Sequence, residues 1–452
     1  MTAAGQASVG AEPLRSAHDV SMRLAFGWGL GSLGVAILYN VTNILLLRYL
    51  VDEVGVAAAL AAGLVAFSKI YDAITDPIIG AISDRRGGTG SRRRPWLLWG
   101  GLMCTAALPL LFTTPHLQGP ALVAWLLFAL LFYSSAYAIF TVPYMAMPSE
   151  MTDDPHTRSF IMSWRVKAIA IGQLLAGTVG PALVAFFGGG RAGHASMAWV
   201  MGILVLGATL GCYALTGRAR YLPRNAEVVP FRTQARSLLA NRPFAWLLLG
   251  KLLQLVGVAC GSATLAFFTM RVLQKPDTYL GVVFAAMTLG IIAAAPVWTR
   301  ISRRLGKRQT YFLGAVIYAI ANLSWLVATP AEGVAVLAMR SVTIGIGSAA
   351  MLLIGQSLLP DVMAWDRANN GLAREGVLAG FYATIEKLSY ALGIAIVGAF
   401  LGAFGYVPGA TFGIVQPASA LTAIRWSVSV LPSLFAVLAA LAIAQVRIGE
   451  DA

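Results

Sequence analysis

The sequence at positions 69–88, KIYDAITDPIIGAISDRRGG, carries ionisable side chains inside an otherwise apolar stretch. Lys69, Asp72 and Asp76 are spaced i, i+3, i+7, so an α-helix brings them to one face. A charge at mid-bilayer costs roughly 2.5–3.5 kcal/mol, so such residues face a cavity or a partner. Two carboxylates one turn apart repel each other unless a proton or small cation binds there. The pair indicates a cation site; the alternative is a structural ion pair that locks helices together.

The composition is typical of a membrane protein. Of 452 residues, 58% are hydrophobic and 12% are charged, whereas soluble proteins carry about 25% charged residues. Apolar runs of about 20 residues, enough to cross a bilayer, recur along the chain, and the alternating segments of a β-barrel are missing. Cys104, Cys212 and Cys260 fall inside apolar runs, so we expect core residues and not a disulfide framework or a metal site.

The apolar runs predict an all-α protein with twelve transmembrane helices. The predicted spans are residues 23–50, 57–83, 96–114, 120–147, 159–187, 196–216, 243–270, 279–300, 310–328, 333–358, 375–404 and 419–445. The net charge of +14 comes from basic residues grouped in alternate loops. Because this grouping follows the positive-inside rule, we expect no nucleic-acid partner, a cell (inner) membrane location and two cytoplasmic termini.

An internal repeat relates the two halves of the chain. The basic turn GAISDRRGGTGSRRRPWLLWG at 80–100 follows the second span, and RISRRLGKRQTYFLG at 300–314 follows the eighth. A six-plus-six repeat with a longer linker resembles the plan of the major facilitator transporters. The predicted division is a cytoplasmic tail at 1–22, an N-terminal half at 23–216, a cytoplasmic linker at 217–242, a C-terminal half at 243–445 and a cytoplasmic tail at 446–452.

A second ionisable pair lies in the eleventh span, within GFYATIEKLSYALG at 380–393. Lys387 is near its middle and Glu386 is beside it; adjacent helix residues point about 100° apart, so one can face the cavity and the other a neighbouring helix. Lys387 is the expected countercharge for Asp72 and Asp76. A proton or sodium ion would then compete with the ammonium group for the carboxylates, which couples the ion to the solute.

Other basic residues in the spans are less informative. Arg48, Arg271 and Arg425 lie near non-cytoplasmic ends, where snorkelling to the interface accounts for them. For Lys251 and Arg340, structural and functional roles are equally open.

The loop at 84–95 suggests a gate. Asp84 ends the second span at the cytoplasmic face, and Arg92, Arg93 and Arg94 follow closely in sequence. We expect these four residues to form a charge network that closes the cytoplasmic end in one state. The alternative is that the arginines only set the topology.

Three motifs resemble one transporter family over nearly the whole chain. They are YDAITDPIIGAISDRRGGTGSRRRPWLLWG at 71–100, VPYMAMPSEMTDDPHTRSFIMSWR at 142–165 and LLPDVMAWDRANNGLAREG at 358–376. The first contains D-x-x-x-D-P-x-x-G followed by an aspartate and a basic loop that ends in R-P-W. Together the motifs resemble the glycoside–pentoside–hexuronide:cation symporters, the melibiose-permease-like family of the major facilitator superfamily.

The resemblance implies roles for individual residues. Asp72 and Asp76 match the cation-site aspartates, Thr75 precedes Asp76, and Lys387 is at the position of the family's lysine. Lys69 matches a nearby basic position, and Arg165 matches a fifth-span arginine linked to sugar binding. The family implies no enzymatic activity and no cofactor beyond the coupling ion, H⁺ or Na⁺. Because Thr75 replaces an asparagine, H⁺ is favoured.

The solute site departs from that of the galactoside carriers. Where their fourth span has an acidic sugar ligand and an aromatic residue, this chain has Thr141 and Met145. The predicted substrate-binding residues are Asn40, Asn43, Lys69, Tyr137, Thr141, Arg165 and Tyr382. This set is neutral to basic, so we expect uronides or aryl and alkyl glycosides to compete better than plain galactosides.

The expected partners are a small solute, a sugar or glycoside, together with a coupling cation and the lipid bilayer, and the protein is expected to be a monomer. One alternative is symport of a non-sugar amphipathic solute such as a lysolipid, because lysolipid symporters share part of the pattern. A remote alternative is a membrane-embedded metal-dependent transferase that uses the paired aspartates.

Overall fold

The computed structural model describes residues 21–85, 93–152, 155–219, 241–370, 375–409 and 415–448. Within these ranges the chain forms helices and no strand. Twelve helices are long and apolar enough to cross a membrane, which confirms the predicted fold class. In chain order they are α1 Met22–Glu53, α2 Ala58–Gly80, α3 Arg94–Phe112, α4 Gly119–Pro148, α5 Phe160–Phe186, α6 Gly190–Leu215, α7 Arg242–Val272, α8 Thr278–Leu305, α9 Lys307–Val327, α10 Val334–Asp366, α11 Gly380–Ala403 and α12 Ala418–Ala444.

The two sets of six spans pack in the same way. In the first set α1 packs on α5 and α6, α3 on α4 and α6, and α2 on α4. The second set repeats these pairings six helices later, with α7 on α11 and α12, α9 on α10 and α12, and α8 on α10. Repeated packing of this kind is typical of transporters built from internal repeats. Most of the linker predicted at 217–242 lies outside the described residues.

Corresponding helices also begin and end alike. The first helix of each set is capped by a polar side chain: Ser21 accepts from the Leu24 amide, and Asn241 accepts from the Phe244 amide. Each of these helices closes with a π-helical turn, at Tyr49–Glu53 in α1 and at Phe268–Val272 in α7.

The two halves approach closely at the end of the bundle where α1 and α7 finish. There α2 packs on α11, and α5 packs on α8. Gly398 of α11 lies so close to Ala62 that a Cβ at position 398 would collide with the Ala62 methyl group. A Cβ at Gly281 of α8 would lie 2.9 Å from the Thr178 carbonyl oxygen. Small residues at such crossings allow the helix backbones to meet.

Candidate functional site

An ion pair joins the two halves near the middle of the bundle. Lys387 of α11 donates a hydrogen bond to Oδ2 of Asp76 on α2. The side chains are 21% and 25% exposed respectively, so the pair lines a space open to solvent. Asp76 Oδ1 is buried and has no hydrogen-bond partner within the described part of the chain. The pair is therefore placed where a cation could replace the ammonium group.

A second ion pair, more buried than the first, lies on α2. Lys69 Nζ is 3.9 Å from Asp72 Oδ2, and both side chains are almost fully buried. The same ammonium group is 3.5 Å from the Tyr133 hydroxyl and 5.1 Å from the ring centre of Tyr39. Asp72 Oδ1 is buried, and the described residues offer it no hydrogen bond. The Thr75 hydroxyl turns back to its own helix and donates to the carbonyl oxygen of Tyr71 at 3.0 Å.

Tyrosines from both halves surround these pairs. Tyr39 lies 5.9 Å from Tyr137 and 5.5 Å from Tyr390, measured between ring centres. The Lys387 ammonium lies 5.6 Å from the centre of the Tyr137 ring. The wall combines apolar ring faces with hydroxyl groups, as binding sites for polar organic solutes do.

A cavity of about 110 Å³ lies between the halves, towards the end where they close. Two predicted substrate residues, Asn40 and Asn43, line it from α1, opposite Ser262 and Asn322. Asn40 donates to the Ala36 carbonyl oxygen at 2.8 Å. Both amide atoms of Asn43 are buried without a hydrogen-bond partner among the described residues, so this side chain can still bind a polar solute or water.

The other predicted substrate residues lie apart from this cavity. The Thr141 hydroxyl is buried and unpaired within the described ranges. Arg165 lies on α5 and is half-buried. The Tyr382 hydroxyl is 3.1 Å from the Gly355 carbonyl oxygen, to which it donates, so its ring and not its hydroxyl faces Lys251. The binding roles of these residues stay predictions.

The predicted cytoplasmic gate is described in part. Arg92 and the side chain of Asp84 lie outside the described residues. Arg93 is buried and donates to the Ser83 hydroxyl at 3.3 Å. Arg94 donates to the Tyr213 carbonyl oxygen at 3.1 Å, with its guanidinium group 4.3 Å from the ring centre of Tyr213. Arg94 therefore joins α3 to α6 inside the first half.

A charge network that sequence reasoning missed lies where α1 and α7 end. Arg48 donates through both terminal nitrogens to the carboxylate of Asp277 in the other half. Arg271 Nη2 lies 3.2 Å from Asp52 Oδ1, which again joins one half to the other. Arg48 and Arg271 are only 4% and 9% exposed, so the snorkelling expectation is wrong for both.

Tyr406, which lies between α11 and α12 in the chain, also belongs to this network. Its hydroxyl donates to Asp52 Oδ1 at 2.6 Å and accepts from Arg271 Nε at 3.2 Å. Burial, together with the nearby Asp52 carboxylate, raises the pKa of Tyr406 well above its usual value, so the phenol stays protonated and keeps its donor. The repeat held the signal for this network: an arginine and an aspartate occur in RYLVDE at 48–53, where α1 ends, and in RVLQKPD at 271–277, where α7 ends.

The remaining intramembrane bases differ in their surroundings. Arg340 pairs with Glu332 at 2.7 Å, within the second half and near the loop between α9 and α10. Arg425 donates to the carbonyl oxygens of Leu326 and Ala328 and so holds the end of α9. Lys251 instead pairs with Glu386 beside the tyrosine wall.

Comparisons with known proteins show what the chain is similar to. Residues 27–450 match the family model described as MFS/sugar transport protein. An uncharacterized symporter, sll1374, of Synechocystis sp. (strain ATCC 27184 / PCC 6803 / Kazusa) is 26% identical over 93% of this chain and 93% of its own. The glucuronide carrier protein homolog of Escherichia coli (strain K12) is 24% identical over 93% and 92%. The crystal structure of a bacterial homolog of the human lysosomal transporter Spinster, inward-facing and unoccupied, superposes with a TM-score of 0.65 at 17% identity, covering 95% of this chain and 98% of that one.

Proposed function

The chain belongs to the MFS/sugar transport protein family, and we propose that it is a symporter that couples H⁺, in preference to Na⁺, to the movement of a glycoside or uronide. Family membership makes it a multi-pass membrane transporter and not an enzyme. Sugar and cation symport is supported at the level of the family by relatives named as a symporter and as a glucuronide carrier homolog.

The ion pair between Lys387 and Asp76 is the observation that carries the proposal. It links α11 to α2 across the two halves, and both side chains are partly exposed. A cation that binds Asp76 releases the ammonium group, so ion binding changes both the charge of the cavity and a contact between the halves. Such a shared contact gives the ion and the solute a coupling free energy.

Two features favour the proton as the coupling ion. Oδ1 of Asp72 and Oδ1 of Asp76 are buried and unpaired among the described residues, and either oxygen can accept a proton without further ligands. A metal cation needs several oxygen ligands at once, as coordination of hard cations requires. Thr75 is the second feature: it precedes Asp76 where the symporter family that the sequence resembles has an asparagine, so an amide oxygen that could bind Na⁺ is absent from this position.

Alternating access follows from the two sets of contacts between the halves. In this mechanism the arginine–aspartate network at the ends of α1 and α7 closes the non-cytoplasmic side, with both termini on the cytoplasmic side of the cell membrane. Lys387 and Glu386, whose side chains are 21% and 47% exposed, are reached from the other side in this mechanism. The transition breaks the network and closes the opposite end.

Uptake into liposomes that contain only this protein tests the proposal. The panel contains para-nitrophenyl β-glucuronide, para-nitrophenyl β-xyloside, melibiose and a lysophospholipid, each at several pH values with and without sodium. The expected result is uphill accumulation of a glycoside or uronide, driven by a pH gradient and independent of sodium. Accumulation of the lysophospholipid alone contradicts the sugar assignment, and accumulation that requires sodium contradicts the choice of proton.

A further inference from the structure

Lys251 on α7 and Glu386 on α11 form a further intramembrane ion pair, within the second half, with Nζ and Oε2 3.7 Å apart. The burial of the two partners is unequal: the Lys251 side chain is 5% exposed, whereas that of Glu386 is 47% exposed. The Lys69–Asp72 pair, by contrast, is 2% and 3% exposed. A pair that only joins helices is expected to bury both partners, so the exposed carboxylate indicates a different role.

The Lys251 ammonium group is held by neighbouring side chains, whereas the Glu386 carboxylate is partly exposed. Lys251 Nζ lies 4.7 Å from the centre of the Tyr382 ring, a cation–π contact. Tyr382 is fixed by its hydrogen bond to the Gly355 carbonyl oxygen, and a Cβ at Gly355 would lie 3.5 Å from Gln254 Oε1. Tyr382 therefore positions Lys251, and Lys251 in turn positions the partly exposed Glu386 carboxylate.

Tyrosines from both halves lie around Glu386. Tyr382 and Tyr390 are four residues before and after it on α11, so they share its helix face. The Tyr390 ring centre is 5.5 Å from that of Tyr39, which is 5.9 Å from that of Tyr137 in the first half. A carboxylate accepts hydrogen bonds from neighbouring hydroxyl groups of a sugar, and ring faces cover its apolar C–H face. This combination suits a polyhydroxylated ring.

We infer that Glu386, positioned by Lys251, is the residue that accepts hydrogen bonds from the solute's hydroxyl groups. The inference rests on the proposed function and adds the group that recognises the sugar. The acidic ligand that α4 lacks at Thr141 is thereby supplied from the opposite half. A negative charge on the solute is repelled by Glu386, so the anionic end of a uronide points towards Arg165 and its hydroxyl groups towards α11.

The test measures uptake kinetics in proteoliposomes. Para-nitrophenyl β-glucuronide, β-xyloside and β-galactoside are compared, and the probe with the lowest KM is measured with its monodeoxy analogues. Glu386→Gln removes charge-assisted acceptors, so KM is expected to rise about tenfold to a hundredfold. Loss of the recognised hydroxyl should weaken uptake by the wild type more than uptake by the variant, because the neutral amide of Gln accepts only a weaker hydrogen bond from it.

Two further variants separate recognition from folding. Glu386→Asp keeps the charge next to Lys251 and should fold normally, yet its shorter side chain should still raise KM. Glu332→Gln is the matched control: it neutralises a glutamate paired with Arg340 in the same half, and its KM should equal that of the wild type.

The outcomes are distinct. If the wild type transports a glycoside of the panel while Glu386→Gln keeps its KM, or loses affinity equally for every deoxy analogue, the inference is wrong and the proposed function stands. If the wild type transports none of these glycosides, the proposed function fails and the inference fails with it.

Discussion

Arg48 of α1 binds Asp277 of the second half, and Arg271 of α7 binds Asp52 of the first half. The two contacts are reciprocal, because each half supplies one arginine near the end of its first helix and one aspartate, Asp52 in α1 and Asp277 between α7 and α8. Arg48 Nε also lies 4.0 Å from Asp52 Oδ2, so the four groups form one network. The internal repeat thus creates a closed end that must open for the solute to pass.

The network predicts the effect of Asp277→Asn. Removal of one partner of a buried charged pair costs about 2 kcal/mol or more. Only the conformation that is closed at this end contains the pair, so only that conformation is destabilised. We expect the population to shift by about 30-fold towards the state open at this end. The probe is Ser262→Cys, which lines the central cavity, in a chain whose three buried cysteines are replaced by alanine. A membrane-impermeant maleimide added from the non-cytoplasmic side should label it several-fold faster.

Glu332→Gln again provides the control, since its ion pair with Arg340 lies near the same end but inside one half. Labelling in this variant should match that of the parent. An unchanged labelling rate in Asp277→Asn, or an equal increase in both variants, contradicts the gating role.

How much the sequence could predict depends on how local each feature is. The twelve spans were predictable because lipid demands long apolar runs, a local property. The sequence predicts the contact of Lys387 with Asp76 because an isolated charge inside the membrane is costly, so opposite charges in two spans are expected to pair. Snorkelling is the wrong expectation for Arg48 and Arg271 because the aspartate that binds each of them belongs to the other half, which the sequence around either arginine does not show.

Helix rotation sets a further limit. Glu386 and Lys387 are neighbours in sequence, and the pattern does not determine which of them faces the cavity. In the structure both do: Lys387 reaches Asp76 of the first half, and Glu386 reaches Lys251 of the second. Only the packing of α11 between α2 and α7 decides this.

The α2 carboxylates predict a loss of coupling. Asp72→Asn and Asp76→Asn each remove a group that must gain and lose the coupling ion. We expect both to abolish uphill accumulation in proteoliposomes while exchange of labelled for unlabelled solute continues, because exchange needs no net ion movement. Accumulation at the wild-type level in both variants contradicts the cation-site assignment.

The contact between α2 and α11 predicts a stability pattern. Lys387→Met leaves Asp76 partly buried without its partner, and we expect a loss of about 1–3 kcal/mol in detergent, since an unpaired buried group keeps its desolvation cost. Asp76→Asn combined with Lys387→Met removes both charges and should recover most of that loss. Thermal unfolding followed by tryptophan fluorescence measures the difference. The double variant should still fail to accumulate solute, because stability returns without a coupling group.

The position of Arg165 predicts for which solutes the KM rises when its charge is removed. Arg165 is on α5 of the first half, whereas Glu386 is on α11 of the second, and the solute's anionic end is expected near Arg165 because Glu386 repels it. Arg165→Gln should raise the KM for para-nitrophenyl β-glucuronide by about tenfold or more, since a guanidinium–carboxylate contact is among the strong hydrogen bonds. The KM for the neutral para-nitrophenyl β-xyloside should change less than threefold. Arg165→Lys keeps the charge without the fork geometry of the guanidinium group. Its KM for the glucuronide should therefore lie between those of the wild type and Arg165→Gln. If Arg165→Gln weakens both solutes equally, or if melibiose is the best substrate, the pocket does not select for an anionic or aryl solute.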